Sequence, residues 1–265
     1  MRLSDAQTCI AAAEAGAAVI RRAYGREPER IAKSATDFAT RADIDSEKAI
    51  RAVLHAHRPN DAVLGEELGH AGADGAARRW LVDPLCGTLN FAASTPLAAV
   101  NVALVVDDRT SVAASAEPVS GEVFWTDGGR GAFVRRDGED HPLHPTDTSR
   151  LVEINADRPR HEQSVSAQLV IDLAFRSEFA PRVLSSTLGV AWVAACRRAA
   201  YVTDGPLRDD LHFAAGIAIA AAAGCVITAL NGEPLHLADG AVISANEDVH
   251  RSVLKHLSPH IDRLR

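Results

Sequence analysis

The chain of 265 residues is short of cysteine, of basic charge and of long apolar runs near its start, and each scarcity excludes something. Its four cysteines, Cys9, Cys86, Cys196 and Cys225, are scattered without a CxxC pair, which fits a reducing compartment better than a disulfide framework. With 28 Lys and Arg against 35 Asp and Glu the formal charge is -7, so there is no basic footprint for nucleic acid or an anionic membrane. Asp5 and Glu14 interrupt the alanines between Met1 and Ile20, which argues against a signal peptide or a membrane span. A cytoplasmic location is the resulting expectation. No internal repeat or low-complexity segment stands out beyond an enrichment in alanine.

What is present is an ordinary globular share of hydrophobic residues, 47%, in a chain long enough for one compact unit or two subdomains. Ser4-Asp5-Ala6-Gln7 has the form of a capping box and predicts a helix to about Tyr24, stopped by Gly25 and Pro28. A second helix is expected from about Asp43 to His57. Apolar runs at 62–64, 80–82, 99–106 and 111–116 read as strands, and 122–126 with 132–135 as a hairpin. The polar stretch from Arg136 to Arg150 is the expected boundary between an α+β subdomain, 1–140, and an α/β subdomain, 145–265. The second half alternates strands near 151–155, 182–184 and 200–203 with helices near 160–175, 187–197 and 211–223, then strands at 226–229 and 241–244.

Chemistry concentrates in Gly65-Glu66-Glu67 and in the string Asp83-Pro84-Leu85-Cys86-Gly87-Thr88-Leu89-Asn90-Phe91, followed far downstream by Leu211-His212-Phe213-Ala214-Ala215-Gly216. A Gly-Glu-Glu alone means little, but order, spacing and the Asp-Pro-x-x-Gly-Thr-x-Asn-Phe string together resemble the inositol monophosphatase superfamily. Lys33 to Asp43, Glu117 to Phe124 and Gly129 to Phe133 resemble further family segments, so the likeness covers most of the chain. It implies a layered αβαβα sandwich, an α/β (α+β) fold with the site between the halves. It also implies a homodimer and hydrolysis of a small phosphorylated metabolite with Mg²⁺, a hard ion that suits carboxylate, carbonyl and hydroxyl oxygens.

By resemblance Glu66, Asp83 and the carbonyl of Leu85 hold a first metal, and Thr88 works with Glu66 to orient the attacking water. Asp43 matches an outer carboxylate. Gly87 and Thr88 lie where the family binds phosphate, while Ser185, Ser186 and Thr187 lie where it lines its substrate pocket, although such a cluster is equally a helix cap. At two positions the family pattern is broken: Cys86 and His212 stand where aspartates would hold a second metal. A register shift through Asp209 and Asp210 is the competing alignment.

Three readings are open. The protein is a phosphatase running on the first metal, with Cys86 and His212 as softer ligands that favour Zn²⁺, Mn²⁺ or Fe²⁺ over Mg²⁺; or the two side chains form a Cys-His nucleophilic pair in a pocket without metal; or catalysis is lost and the chain serves as a binding or regulatory homologue.

Overall fold

The computed structural model describes residues 3–34, 38–129, 131–157, 164–205, 207, 210–235 and 237–262. Two compact units divide it. One comprises Met1–Pro142 with Ser186–Leu188 and Leu211–Ile219; the other comprises Leu143–Ser185, Gly189–Asp210 and Ala220–Arg265.

In the main body of the first unit the order is α1 (Asp5–Ala23), β1 (Arg30–Ala32), β2 (Phe38–Thr40), α2 (Arg41–His57), β3 (Ala62–Gly65), β4 (Gly69–Ala71), β5 (Arg78–Cys86), α3 (Thr88–Ala92), β6 (Ala99–Val106), β7 (Arg109–Ala116), β8 (Val123–Thr126), β9 (Ala132–Arg136) and β10 (Glu139–Pro142). Eight strands make one sheet in the order β10-β9-β8-β7-β6-β5-β3-β4, antiparallel except for the parallel pair β3 and β5. The Ser4 capping box is present: Ser4 Oγ accepts from Gln7 N at 3.2 Å and Gln7 Oε1 from Ser4 N at 2.9 Å. Gly16 of α1 brings it against α2, where an added Cβ would lie 2.8 Å from Ile50 and Ser46, and both helices bury apolar side chains in one core with Trp80, Val82 and Leu104 of the sheet.

The second unit holds β11 (Leu151–Asn155), α4 (Val165–Ile171), α5 (Leu173–Glu178) and β12 (Ala180–Val183). α6 (Leu188–Ala194), β13 (Ala200–Thr203), α7 (Ala214–Ala223), β14 (Val226–Thr228), β15 (Ala241–Ser244) and α8 (Glu247–Asp262) follow, α6 and α7 each beginning in the first unit's segments. Its five-stranded sheet runs β12-β11-β13-β15-β14, parallel about β11 and antiparallel about β15. The helix expected near 160–175 is two helices, because Asp172 ends α4 and caps α5 by accepting from Ala174 N at 2.8 Å and Phe175 N at 3.1 Å. The start expected at Arg160 lies outside the described residues, as does Arg130 of the hairpin loop. α7 begins at Ala214, so Leu211-His212-Phe213 forms the turn before it. No helix among the described residues is long and apolar enough to cross a membrane.

Candidate metal centre

The site grows from the parallel pairing of β3 and β5. Gly65 stands opposite Val82, and the ladder continues one step further with Glu66 N donating to the Val82 carbonyl at 3.1 Å, which delivers Glu66 beside the start of the Asp-Pro string. On its other side β5 pairs with β6, Asp83 opposite Asn101, and then slips: the next pair is Cys86 with Ala99. Pro84 has no N–H for the ladder, so the slip falls where the chain cannot continue it. Leu85 N turns back to Asp83 Oδ1 at 3.2 Å, fixing the carboxylate from below.

α2 supplies the support. Its face Asp43, Ser46, Glu47 and Ile50 is fully buried, at the i, i+3, i+4, i+7 spacing of one helical stripe. Asp43 closes the helix's capping box, accepting from Thr40 N at 2.8 Å and Thr40 Oγ1 at 2.5 Å, and its other oxygen takes the Thr88 hydroxyl at 3.1 Å. Ser46 Oγ donates to the Pro84 carbonyl at 2.9 Å. Glu47 accepts from Glu67 N at 2.7 Å and Leu68 N at 3.3 Å, and pairs with Arg51 at 2.7 Å. A Cβ added to Gly65 would lie 2.0 Å from Glu47 Oε1, so the glycine of Gly-Glu-Glu is what lets this buried carboxylate hold the turn that aims Glu66.

Glu66, Asp83 and His212 bring one ligand atom each to a cluster in which all lie within 4.8 Å of one another. His212 Nδ1 is 2.9 Å from Asp83 Oδ2 and 4.0 Å from Glu66 Oε2. Lys33 closes the other side, its ammonium 2.8 Å from Glu66 Oε1 and 2.5 Å from Glu67 Oε1. Burial, and next the charge of Asp83, push the Glu66 carboxyl up to about 7 against the pull of Lys33 and His212. Burial likewise raises Asp43 to about 6, although Thr40 and Thr88 donate to it. Two carboxylates and an imidazole nitrogen converging on one point form a donor set that fits a divalent ion.

The Leu85 carbonyl accepts from the Thr88 hydroxyl at 3.1 Å, so Thr88 joins Leu85 to Asp43. Gly87, at φ 97°, makes the left-handed turn that starts α3, a conformation open to glycine and costly for other residues. Cys86 Sγ accepts from Thr187 N at 3.2 Å and Thr187 Oγ1 at 3.1 Å, while burial first and the charge of Asp83 second hold its thiol well above the ordinary range. Ser186 Oγ accepts from Leu188 N at 3.3 Å at the start of α6 and lies 3.5 Å from the Cys86 carbonyl. Ser185 belongs to the second unit, as does Asp210; Asp209 lies outside the described residues. The ring that meets Asp83 is that of His212.

Sequence reasoning missed Glu47 and Asn101. Glu47 carries no motif of its own and shows only as a charge on an otherwise buried helical stripe. Asn101 had a signal, a lone amide in the apolar run Ala99-Val100-Asn101-Val102-Ala103.

Known proteins are similar over nearly the whole length. The sequence pattern of the inositol monophosphatase family matches residues 4–262. An inositol-1-monophosphatase of Caulobacter vibrioides is 30% identical over 85% of this chain and 89% of its own length. A fructose-1,6-bisphosphatase/inositol-1-monophosphatase of Aquifex aeolicus is 31% identical over 92% and 91%. The crystal structure of the extragenic suppressor protein SuhB from Bartonella henselae superposes with a TM-score of 0.81 at 24% identity, covering 94% of this chain and 96% of that one. The two mixed sheets with their helices are thus the α+β fold of those structures. Match length and shared fold agree with the motifs around Glu66 and Asp83, and the chain belongs to the inositol monophosphatase family.

Proposed function

We propose that the protein is a divalent-metal-dependent phosphomonoesterase acting on a small phosphorylated polyol, sugar or related metabolite, with a centre built from Glu66, Asp83 and His212. The observation that carries this reading is the convergence of those three ligand atoms within 4.8 Å. Mg²⁺ prefers an all-oxygen octahedron, whereas an imidazole beside two carboxylates suits Mn²⁺ or Zn²⁺ at least as well. Such an ion, when bound, polarises a phosphoryl oxygen and makes its water a stronger nucleophile.

The chain's own groups divide the remaining work. Asp83, buried and held at both oxygens, is a fixed ligand. Glu66, with its carboxyl near 7 in the metal-free site, exchanges its proton for the ion near neutral pH, because a divalent ion binds its ionised form. Lys33 holds Glu66 in place and brings positive charge to the rim of the site. Gly87 and Thr88 are assigned to the substrate's phosphate, and Asp43 and Leu85 to the outer part of the metal site, on the family resemblance. Cys86 serves as packing: both polar partners at its sulfur belong to Thr187, while His212 Nδ1 faces Asp83, an arrangement that favours the metal reading over a Cys-His pair. A homodimer in the cytoplasm completes the proposal.

Phosphate release from a panel of metabolite monoesters, measured with Mg²⁺, Mn²⁺ or Zn²⁺, tests it. Turnover is expected with at least one of the ions, and Glu66→Gln and Asp83→Asn should each lower it about a hundredfold or more while removing the calorimetric signal of metal binding. Metal affinity unchanged in both variants would remove the centre, and metal binding without release from any monoester would leave the binding or regulatory homologue as the reading.

A further inference from the structure

Asn101 lies buried in β6, 1% exposed, in a polar row across three strands: Asp83 of β5 on one side and Ser115 of β7 on the other. Ser115 Oγ donates to Asn101 Oδ1 at 2.7 Å. The Asp83 carboxylate sets which way the amide faces, because the flipped alternative would turn a carbonyl oxygen toward it, and the Ser115 hydroxyl holds the amide in that sense. The NH₂ group is left pointing at three acceptors: Thr187 Oγ1 at 2.8 Å, Asp83 Oδ2 at 3.3 Å and the His212 carbonyl at 3.4 Å.

Each of those acceptors belongs to a different piece of the centre. Asp83 Oδ2 is the oxygen that His212 Nδ1 also meets. The His212 carbonyl sits on the turn that presents the imidazole. Thr187 passes the chain on, donating from its own hydroxyl to Cys86 Sγ at 3.1 Å. The result is a directed series, Ser115 to Asn101 to Thr187 to Cys86, with Asn101 also touching two of the three ligand residues. A buried amide needs partners wherever it sits, but an amide needed for the sheet alone would take them from its own strands.

We propose that Asn101 is a positioning residue of the metal centre: its amide, oriented by Ser115, fixes the Asp83 carboxylate and the backbone of His212 in the arrangement that binds the ion. This rests on the metal reading given above. Neutral donors beside a ligating carboxylate orient it without competing for the ion's charge, and loss of such partners typically weakens metal binding about 10- to 100-fold.

Titration of Mn²⁺ and Zn²⁺ into metal-free wild type, Asn101→Ala and Ser115→Ala, followed by calorimetry with the melting temperature of each metal-free protein measured alongside, tests the assignment. Asn101→Ala should weaken affinity about tenfold or more, and Ser115→Ala should shift it in the same direction by less. A residue with a merely structural role would lower the melting temperature and leave the affinity of the folded protein within about twofold; that result overturns the assignment. If Asn101→Ala does not fold, Ser115→Ala decides, and unchanged affinity there overturns it equally. Wild type that binds neither ion defeats the metal reading itself, and with it this inference, before any variant is compared.

Discussion

At the scale of single residues, the two departures from the family pattern have different surroundings. His212 stands against Asp83 and Glu66 and belongs to the ligand cluster, whereas Cys86 is turned to Thr187 and contributes no ligand to it. The double change Cys86→Asp with His212→Asp replaces a sulfur and a nitrogen with hard oxygens, so it should raise Mg²⁺-dependent phosphate release relative to release with Mn²⁺ or Zn²⁺. The ratio of initial rates with the three ions is the measurement. A folded double variant with an unaltered ratio would show that ion choice is not set at these positions. The cluster residues Glu66 and Asp83 were legible because they stand in short motifs, and His212 because an ungapped alignment reached it. Thr187 was legible only as one of a serine and threonine cluster. Its grip on Cys86 spans 101 positions, a separation that no local pattern encodes.

At the scale of elements, α2 and the turn after β3 act as one piece. Gly65→Ala would drive a methyl group into the Glu47 carboxylate, which also holds Glu67 N, Leu68 N and Arg51. Overpacking of this kind costs about 1–3 kcal/mol, read as a lower denaturant midpoint, and the shifted turn should weaken metal binding at Glu66 as well. A midpoint and an affinity both equal to wild type would contradict the close approach. Helices with a capping signature or a strong apolar period were visible in the sequence: α1 ends within a residue of expectation, and α2 starts only two residues early, at the Thr40 cap. Elements lacking such signals were not. β10 is an edge strand exposed along its whole length, with no apolar alternation to read, and β1 and β4 are three-residue pieces. α8 is different: it had a start signal, Asn246 Oδ1 accepting from Val249 N at 2.9 Å, and the buried period Val249, Val253 and Leu257, and sequence reasoning missed both.

At the scale of the whole molecule, buried carboxyls set the dependence of stability on pH. Burial pushes Asp43 up to about 6 and both Glu66 and Glu153 to about 7. In each the folded state holds a proton that the unfolded chain has released, so stability falls as pH rises from the ordinary carboxylate range to about 7. His250, buried and held below its ordinary value, acts in the opposite sense, losing stability as pH falls through the ordinary histidine range. Three groups outweigh one, and the melting temperature of the metal-free protein should be higher at about pH 5.5 than at about pH 7.5. Mn²⁺ or Zn²⁺ should recover the loss at the higher pH, because the ion favours the ionised Glu66. A metal-free melting temperature that rises across this interval would contradict the assignment of these carboxyls.

The centre also has a place in time. Asp83 and His212 are 129 positions apart, and Asn101 and His212 are 111 apart, although all of them belong to one compact unit. Drawing such distant segments together costs loop-closure entropy that contacts between near neighbours in sequence avoid. Glu66 and Asp83 lie in the unit's first segment, which ends at Pro142, and the imidazole that completes the cluster comes from its last, Leu211–Ile219. The cluster is complete only when that last segment has joined the unit, and an ion bound there would act as a clasp on the finished molecule, slowing its opening without hastening its assembly.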